Sequence, residues 1–275
     1  MSYKIKVLLL FLFLSSCALM FYNNNQFDVY ESEHFTFFYL RGTECGNKIK
    51  EIADGSEFAI KIAEIIMAYK IDLKIDAYLY DDGSQIAYSK FLPSLTGDAT
   101  FQFRDGFQVV YNTFKEDFFL YISTILHETI HFFQTSILKL NNYGIIEGHA
   151  FYIQLKYYYY VKYNNISDDY ILSELKYLIY ERVVKDKELP HKIFSLTGKE
   201  FQNINITLED MTRDAKNRYE IGANFIAFLN KKYGTQKLMK WLENLNDNFI
   251  EKFKEVYGID FYTVENLWLT EIIYE

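Results

Sequence analysis

Cysteine and proline are both rare in this sequence. Two residues of each occur among 275, together with 12 glycines. Loop-rich and low-complexity chains contain far more proline and glycine, so the composition argues against both classes. Half of the residues are hydrophobic, which supplies a core for one large domain or two small ones and argues against disorder.

Basic runs are absent as well. The formal net charge is −8 at pH 7, and the lysines are scattered along the chain. Because nucleic-acid binding depends on clustered lysine and arginine, we expect no nucleic-acid partner.

The N-terminal residues have the pattern of an export signal. Lys4 and Lys6 precede an apolar stretch at residues 7–14, which is too short to span a bilayer comfortably. The Leu-Ser-Ser-Cys that follows, ending at Cys17, resembles the lipobox of bacterial lipoproteins. A plain signal peptide and an uncleaved anchor are the alternatives.

The lipobox predicts that residues 1–16 are removed and that Cys17 carries the lipid. It implies a lipid-anchored, extracytoplasmic protein of the bacterial cell envelope, at the outer membrane or cell surface rather than the inner membrane. Residues 17–32, which include a run of asparagines, are predicted as a tether. Cys45 is then alone, so no disulfide within the chain is expected.

Alternation and helical periodicity predict an α+β fold. A helix is expected at 46–70, and residues 99–112 are predicted as a β-hairpin with an Asp105-Gly106 turn. Beyond residue 115 the pattern is helical throughout, so a small mixed β-sheet with helices should precede an all-helical part. Two strands are predicted at 33–41 and 73–81, and a short helix at 83–91.

The segment "LHETIHFFQTSI" at residues 126–137 contains two histidines four positions apart. Positions i and i+4 share one face of a helix, so His127 and His131 can direct two imidazole nitrogens to one zinc ion. Glu128 lies about 100° further around the helix, where it can reach water without ligating the metal. The alternative is a chance motif in an apolar helix, although burial of three ionisable groups without a partner is costly.

A catalytic zinc site needs a third protein ligand. Glu147, in the segment "YGIIEGHAFYI", lies near the start of the next predicted helix, which can return over the histidine pair. Gly148 leaves room for close helix approach. His149 is a rival ligand on another side of that helix. His34 and His191 are isolated in the sequence and are expected at the surface or in satisfied core positions.

These motifs resemble those of the gluzincin metallopeptidases, specifically the peptidase-MA-like group. In that group the double-histidine helix is followed by an apolar segment ending in Glu-Gly-x-Ala, which "IIEGHA" matches. His149 departs from the pattern, because the group usually has an apolar residue there. The resemblance covers roughly residues 33–273. Its later parts are residues 189–198, 218–242 and 253–272.

The resemblance implies a peptidase that binds one zinc ion through His127, His131 and Glu147 and uses Glu128 as the general base. Tyr219 is the candidate for stabilising the oxyanion. The expected substrate is a peptide or protein, and a monomer is expected. The alternative is a non-catalytic surface lipoprotein that keeps the same fold for binding.

The resemblance also implies an arrangement of the fold. A zincin-like part would occupy residues 33–165, and a helical part would occupy 166–275. The strand at 107–112 is the candidate for a sheet edge that pairs with an extended substrate.

Overall fold

The computed structural model describes residues 27–82, 85, 101–103, 106–112, 115–138, 142–165, 167–195, 208–243 and 249–274. Four predicted features lie wholly or mostly outside these ranges: the export signal, Cys17, the short helix at 83–91 and Asp105 of the turn. Within the ranges, a small mixed sheet near the N-terminus is followed mostly by helices, which confirms the α+β class.

Five strands form the sheet. They are β1 (Phe27–Glu31), β2 (Phe35–Leu40), β3 (Ile75–Tyr80), β4 (Phe101–Phe103) and β5 (Gly106–Val110). Their order is β1-β2-β3-β5-β4, with β2-β3 and β3-β5 parallel and the two outer pairs antiparallel. The parallel centre explains why β3 and β5 are buried along nearly their whole length, since such strands are covered on both faces.

Two predictions about the strands are wrong. Residues 27–31, predicted as part of the tether, form β1, and all five of them pair with β2. The strand predicted at 107–112 as a substrate-pairing edge is not an edge at its first two residues, because β5 bonds to β3 on one side and β4 pairs with Gly106–Gln108 on the other. Phe107 and Gln108 are therefore already paired within the sheet.

The two motifs found in the sequence lie within helices. The described helices are α1 (Glu44–Asn47), α2 (Ile49–Met67), α3 (Phe118–Phe133), α4 (Tyr143–Tyr163), α5 (Asp168–Lys185), α6 (Leu189–Ser195), α7 (Leu208–Tyr233), α8 (Thr235–Leu242), α9 (Phe249–Tyr257) and α10 (Phe261–Tyr274). A π-helical segment, Gln134–Leu138, directly follows α3. Asn142 caps α4 by accepting a hydrogen bond from the Ile145 amide, and Ser167 caps α5 by accepting one from the Asp169 amide.

The chain divides into two compact units that interleave in sequence. One contains the described residues up to Glu57 together with Lys74–Tyr121, and the other contains Phe58–Leu73 and the residues from Ile122 onwards. Helices α2 and α3 each contribute residues to both units. Within the described ranges, none of the helices combines the length and the apolar run needed to cross a bilayer.

In the unit that contains the residues from Ile122 onwards, helices α4 and α7 cross with their backbones almost touching. A Cβ atom added to Gly148 would lie 2.4 Å from the carbonyl carbon of Gly222. One added to Gly222 would lie 2.5 Å from the Gly144 carbonyl oxygen. The prediction that Gly148 allows close helix approach is confirmed, and the crossing holds the first turns of α4, which carry Glu147, against α7.

Candidate metal centre

Helix α3 buries apolar side chains around the predicted motif, and His127, Glu128 and His131 are themselves buried. The i, i+4 alignment is confirmed: the two imidazole rings meet edge to face with centroids 4.5 Å apart. The buried apolar residues around them are Ile122, Ile125, Leu126, Ile130 and Phe133.

Glu147 of α4 meets the histidine pair. Its Oε2 atom lies 3.0 Å from His131 Nε2 and 3.6 Å from His127 Nε2, and the two Nε2 atoms are 2.9 Å apart. A tetrahedral zinc ion with bonds of about 2.0–2.1 Å holds its ligand atoms roughly 3.3 Å apart, so this triangle is close to the size that such an ion requires.

Of these three atoms, the carboxylate oxygen is left without a hydrogen bond, whereas the two Nε2 atoms are within hydrogen-bonding distance of each other. Glu147 Oε2 is buried and accepts no well-aligned hydrogen bond from a described residue, even though His131 Nε2 is 3.0 Å away. A cation at their common point would receive a lone pair from each of them. Two imidazoles and one carboxylate suit zinc, whereas calcium and magnesium prefer oxygen ligands throughout. The residues present therefore fit the metal that the sequence predicts.

His149, the rival ligand, is turned away from this triangle. It is fully buried, and its Nδ1 atom lies 3.0 Å from Nε2 of Gln134. Burial, aided by the nearby His131, lowers the pKa of His149 to about 3, so its ring stays neutral. Gln134 is not among the site residues predicted from the sequence, although an amide three residues after His131 in an otherwise apolar segment is a signal that could have indicated it.

Glu128 and Tyr219 border the triangle without belonging to it. The Glu128 carboxylate is 6% exposed and is not one of the three convergent ligands. The Tyr219 ring of α7 stands edge-on to the His127 ring, with centroids 5.6 Å apart. Burial, followed by the negative charges of Glu147 and Glu128, raises the pKa of Tyr219, so its hydroxyl keeps its proton and can donate a hydrogen bond.

A second group of potential ligands, Glu33, His34 and Glu57, occurs in the other compact unit, which contains the β-sheet. Both Glu57 oxygens are already used there: Oε1 accepts from the Ser32 hydroxyl and the His34 amide, and Oε2 lies 2.6 Å from His34 Nδ1. Glu33 is exposed. We interpret this group as a hydrogen-bonded turn, which makes His34 a satisfied buried histidine as predicted.

Without metal, His131 and Glu147 form a buried ion pair. Burial alone would lower the pKa of His131, but the Glu147 carboxylate outweighs it and raises that pKa to about 9. The same interaction lowers the pKa of the Glu147 carboxyl, against the effect of its own burial. The pair therefore stabilises the metal-free fold fully between the ordinary pKa values of the two groups, about 4.5 for the carboxyl and about 6.5 for the imidazole. This contribution is lost as the pH rises through about 9, where His131 loses its proton, and also as the pH falls below about 4.5 towards the lowered pKa of Glu147.

Zinc affinity is therefore expected to rise with pH. Zinc binds neutral imidazole, so it must displace the proton that His131 holds below a pH of about 9. The apparent association constant should increase about tenfold per pH unit through the neutral range and level off near pH 9. Competition with a chelator of known protonation constants measures this dependence, and a flat profile between neutral pH and 9 would contradict it.

Comparison of the sequence with known proteins gave no match, either to a protein-family model or to a curated protein. The geometry of the site and the motifs in the sequence are therefore the basis for proposing a function.

Proposed function

We propose that this protein is a zinc-dependent metallopeptidase of the gluzincin type. The observation that carries the proposal is the convergence of His127 Nε2, His131 Nε2 and Glu147 Oε2 on one point, with Glu128 on the same helix as the two histidines. The small mixed sheet that precedes the motif helix, and the ligand-bearing helix that follows it, support a zincin-like arrangement.

Each residue then has a role. A zinc ion held by His127, His131 and Glu147 supplies a Lewis acid that acidifies water and polarises a carbonyl group. Glu128 accepts a proton from the attacking water and delivers it to the leaving amine nitrogen. Tyr219, whose raised pKa keeps its hydroxyl protonated, donates a hydrogen bond to the developing oxyanion.

The proposed setting is the outside of a bacterial membrane, with the chain anchored through lipid on Cys17. A peptide or protein that reaches the envelope is then the substrate. The acidic net charge of −8 gives no basic footprint for nucleic acid, and none is part of the proposal.

Metal analysis paired with a cleavage assay tests the proposal. The purified chain should hold one zinc ion and hydrolyse an unfolded protein, and a cleavage survey on a peptide library should locate the scissile bonds. Chelation should stop the cleavage, and added zinc should restore it. Stoichiometric zinc without cleavage would favour the non-catalytic binding protein instead. Absence of zinc from the purified, folded chain after incubation with the metal would overturn the peptidase proposal.

A further inference from the structure

Gln134 contacts both helices that carry the proposed ligands. It is the first residue of the π-helical segment after α3, and its side chain is completely buried. Its Oε1 atom lies 3.0 Å from His131 Nδ1. Its Nε2 atom lies 3.0 Å from the carbonyl oxygen of Ile146 and 3.0 Å from His149 Nδ1. Ile146 and His149 flank Glu147 on α4.

The orientation of the Gln134 amide follows from its partners. The Ile146 carbonyl can only accept, so the amide nitrogen must face it and the amide oxygen must face His131. The reverse orientation would bury two acceptor oxygens against each other. An amide oxygen can only accept, and His131 must therefore carry a proton on Nδ1. When His131 is neutral, its lone pair is then on Nε2, the atom that faces His127 and Glu147.

His149 completes the arrangement from the other side. Its Nδ1 receives the second amide hydrogen of Gln134, so that nitrogen carries a lone pair and the ring proton is on Nε2. The π-helical segment, whose turn is wider than an α-helical one, is also stabilised locally. The Thr135 hydroxyl lies 3.0 and 3.2 Å from the carbonyl oxygens of His131 and Phe132 and donates to them. The π-helical segment thus brings the Gln134 amide between His131 and α4.

We propose that Gln134 is a positioning residue that fixes the metal-binding tautomer of His131 and the distance between α3 and α4, and that His149 acts through Gln134. This inference rests on the proposed function. It assigns a role to His149, the one residue that departs from the gluzincin pattern, and it explains why a histidine is buried next to Glu147 without joining the ligand set.

The first test is zinc affinity, measured by competition with a chromophoric chelator. Gln134→Met removes both hydrogen-bonding ends at similar size and should weaken zinc binding about 10–100-fold, with one ion still bound at saturation. Gln154→Met is the matched control, because it removes an amide of α4 that donates a hydrogen bond to the Ser123 hydroxyl, at 3.4 Å, and not to a ligand residue, and it should leave zinc affinity unchanged. Equal affinity for Gln134→Met and the unmodified chain would overturn the inference.

The second test uses His149, so that the result does not depend on the folding of one variant. His149→Asn keeps an acceptor for the Gln134 amide and should retain near wild-type affinity, whereas His149→Leu should lose about tenfold. Because His149 acts through Gln134, the double variant with Gln134→Met and His149→Leu should bind no more weakly than Gln134→Met alone. Equal affinities for the two His149 variants, or additive losses in the double variant, would overturn the role of His149.

Nitrogen-15 spectra of the zinc-loaded chain provide a readout independent of affinity. The Nδ1 proton of His131 should be protected from exchange in the unmodified chain and exposed in Gln134→Met.

Failure of the inference is distinguishable from failure of the proposed function. If the chain binds zinc and the variants show the expected affinities but no peptide is cleaved, only the enzymatic proposal is contradicted. If the chain cleaves peptides and Gln134→Met binds zinc normally, only the inference about Gln134 is contradicted.

Discussion

Replacing Glu128 with glutamine is expected to lower kcat for peptide hydrolysis by about 10²–10⁴-fold, the usual contribution of a general base. Glutamine has nearly the same size and keeps one acceptor oxygen, but it cannot take a proton from water. Zinc content should not change, because Glu128 is not one of the three convergent ligands. KM should change little, since the proton is transferred only in the transition state. Steady-state kinetics on a fluorogenic peptide, paired with metal analysis, measures all three quantities.

The matched control is Glu174→Gln. It makes the same chemical change at an exposed position on α5 and should leave kcat and zinc content unaltered. Two results would contradict the role given to Glu128. Full activity of Glu128→Gln would mean that another group takes the proton, and loss of zinc would mean that Glu128 belongs to the ligand set.

The core of this site could be predicted from sequence because helix geometry is local. A spacing of four residues places His127 and His131 on one face whatever surrounds the helix. Glu147 was harder, since its approach depends on the turn between two helices, yet its Oε2 lies 3.0 Å from His131 Nε2. The exclusion of His149 as a ligand required the structure, because both Glu147 and His149 lie in the first two turns of α4.

The features that could not be predicted from the sequence depend on non-local or irregular geometry. Gln134 approaches His131 where the helix widens into a π-helical segment, and no 3.6-residue periodicity predicts such a segment. The β4-β5 hairpin could be predicted because its strands are adjacent in the sequence, whereas the pairing of β3 with the other side of β5 joins distant segments and could not. β1 is only five residues long and follows a polar asparagine run, which is too little alternation to separate a strand from a tether in the sequence.

Gly148→Ala is expected to damage both the fold and the metal site. The new methyl group would lie 2.4 Å from the Gly222 carbonyl carbon, and the atom in the way is backbone, which cannot rotate aside. Alanine favours a helix over glycine by about 1 kcal/mol, but overpacking of this kind outweighs that gain and should lower the free energy of unfolding by about 3 kcal/mol. Denaturant titration of the metal-free chain measures the loss.

The same change should weaken zinc binding, because pushing α4 away from α7 shifts Glu147, the neighbour of Gly148, relative to the histidines of α3. Gly46→Ala is the matched control: its nearest contact, at 2.7 Å, is with the Tyr39 ring, a side chain that can move, and Gly46 lies in the other compact unit. Gly46→Ala should lower the free energy of unfolding less than Gly148→Ala does, and it should leave zinc affinity unchanged. If Gly148→Ala were as stable as the unmodified chain, the helix crossing would not be the tight constraint described here. If it were destabilised but bound zinc normally, the crossing would support the fold without setting the position of Glu147.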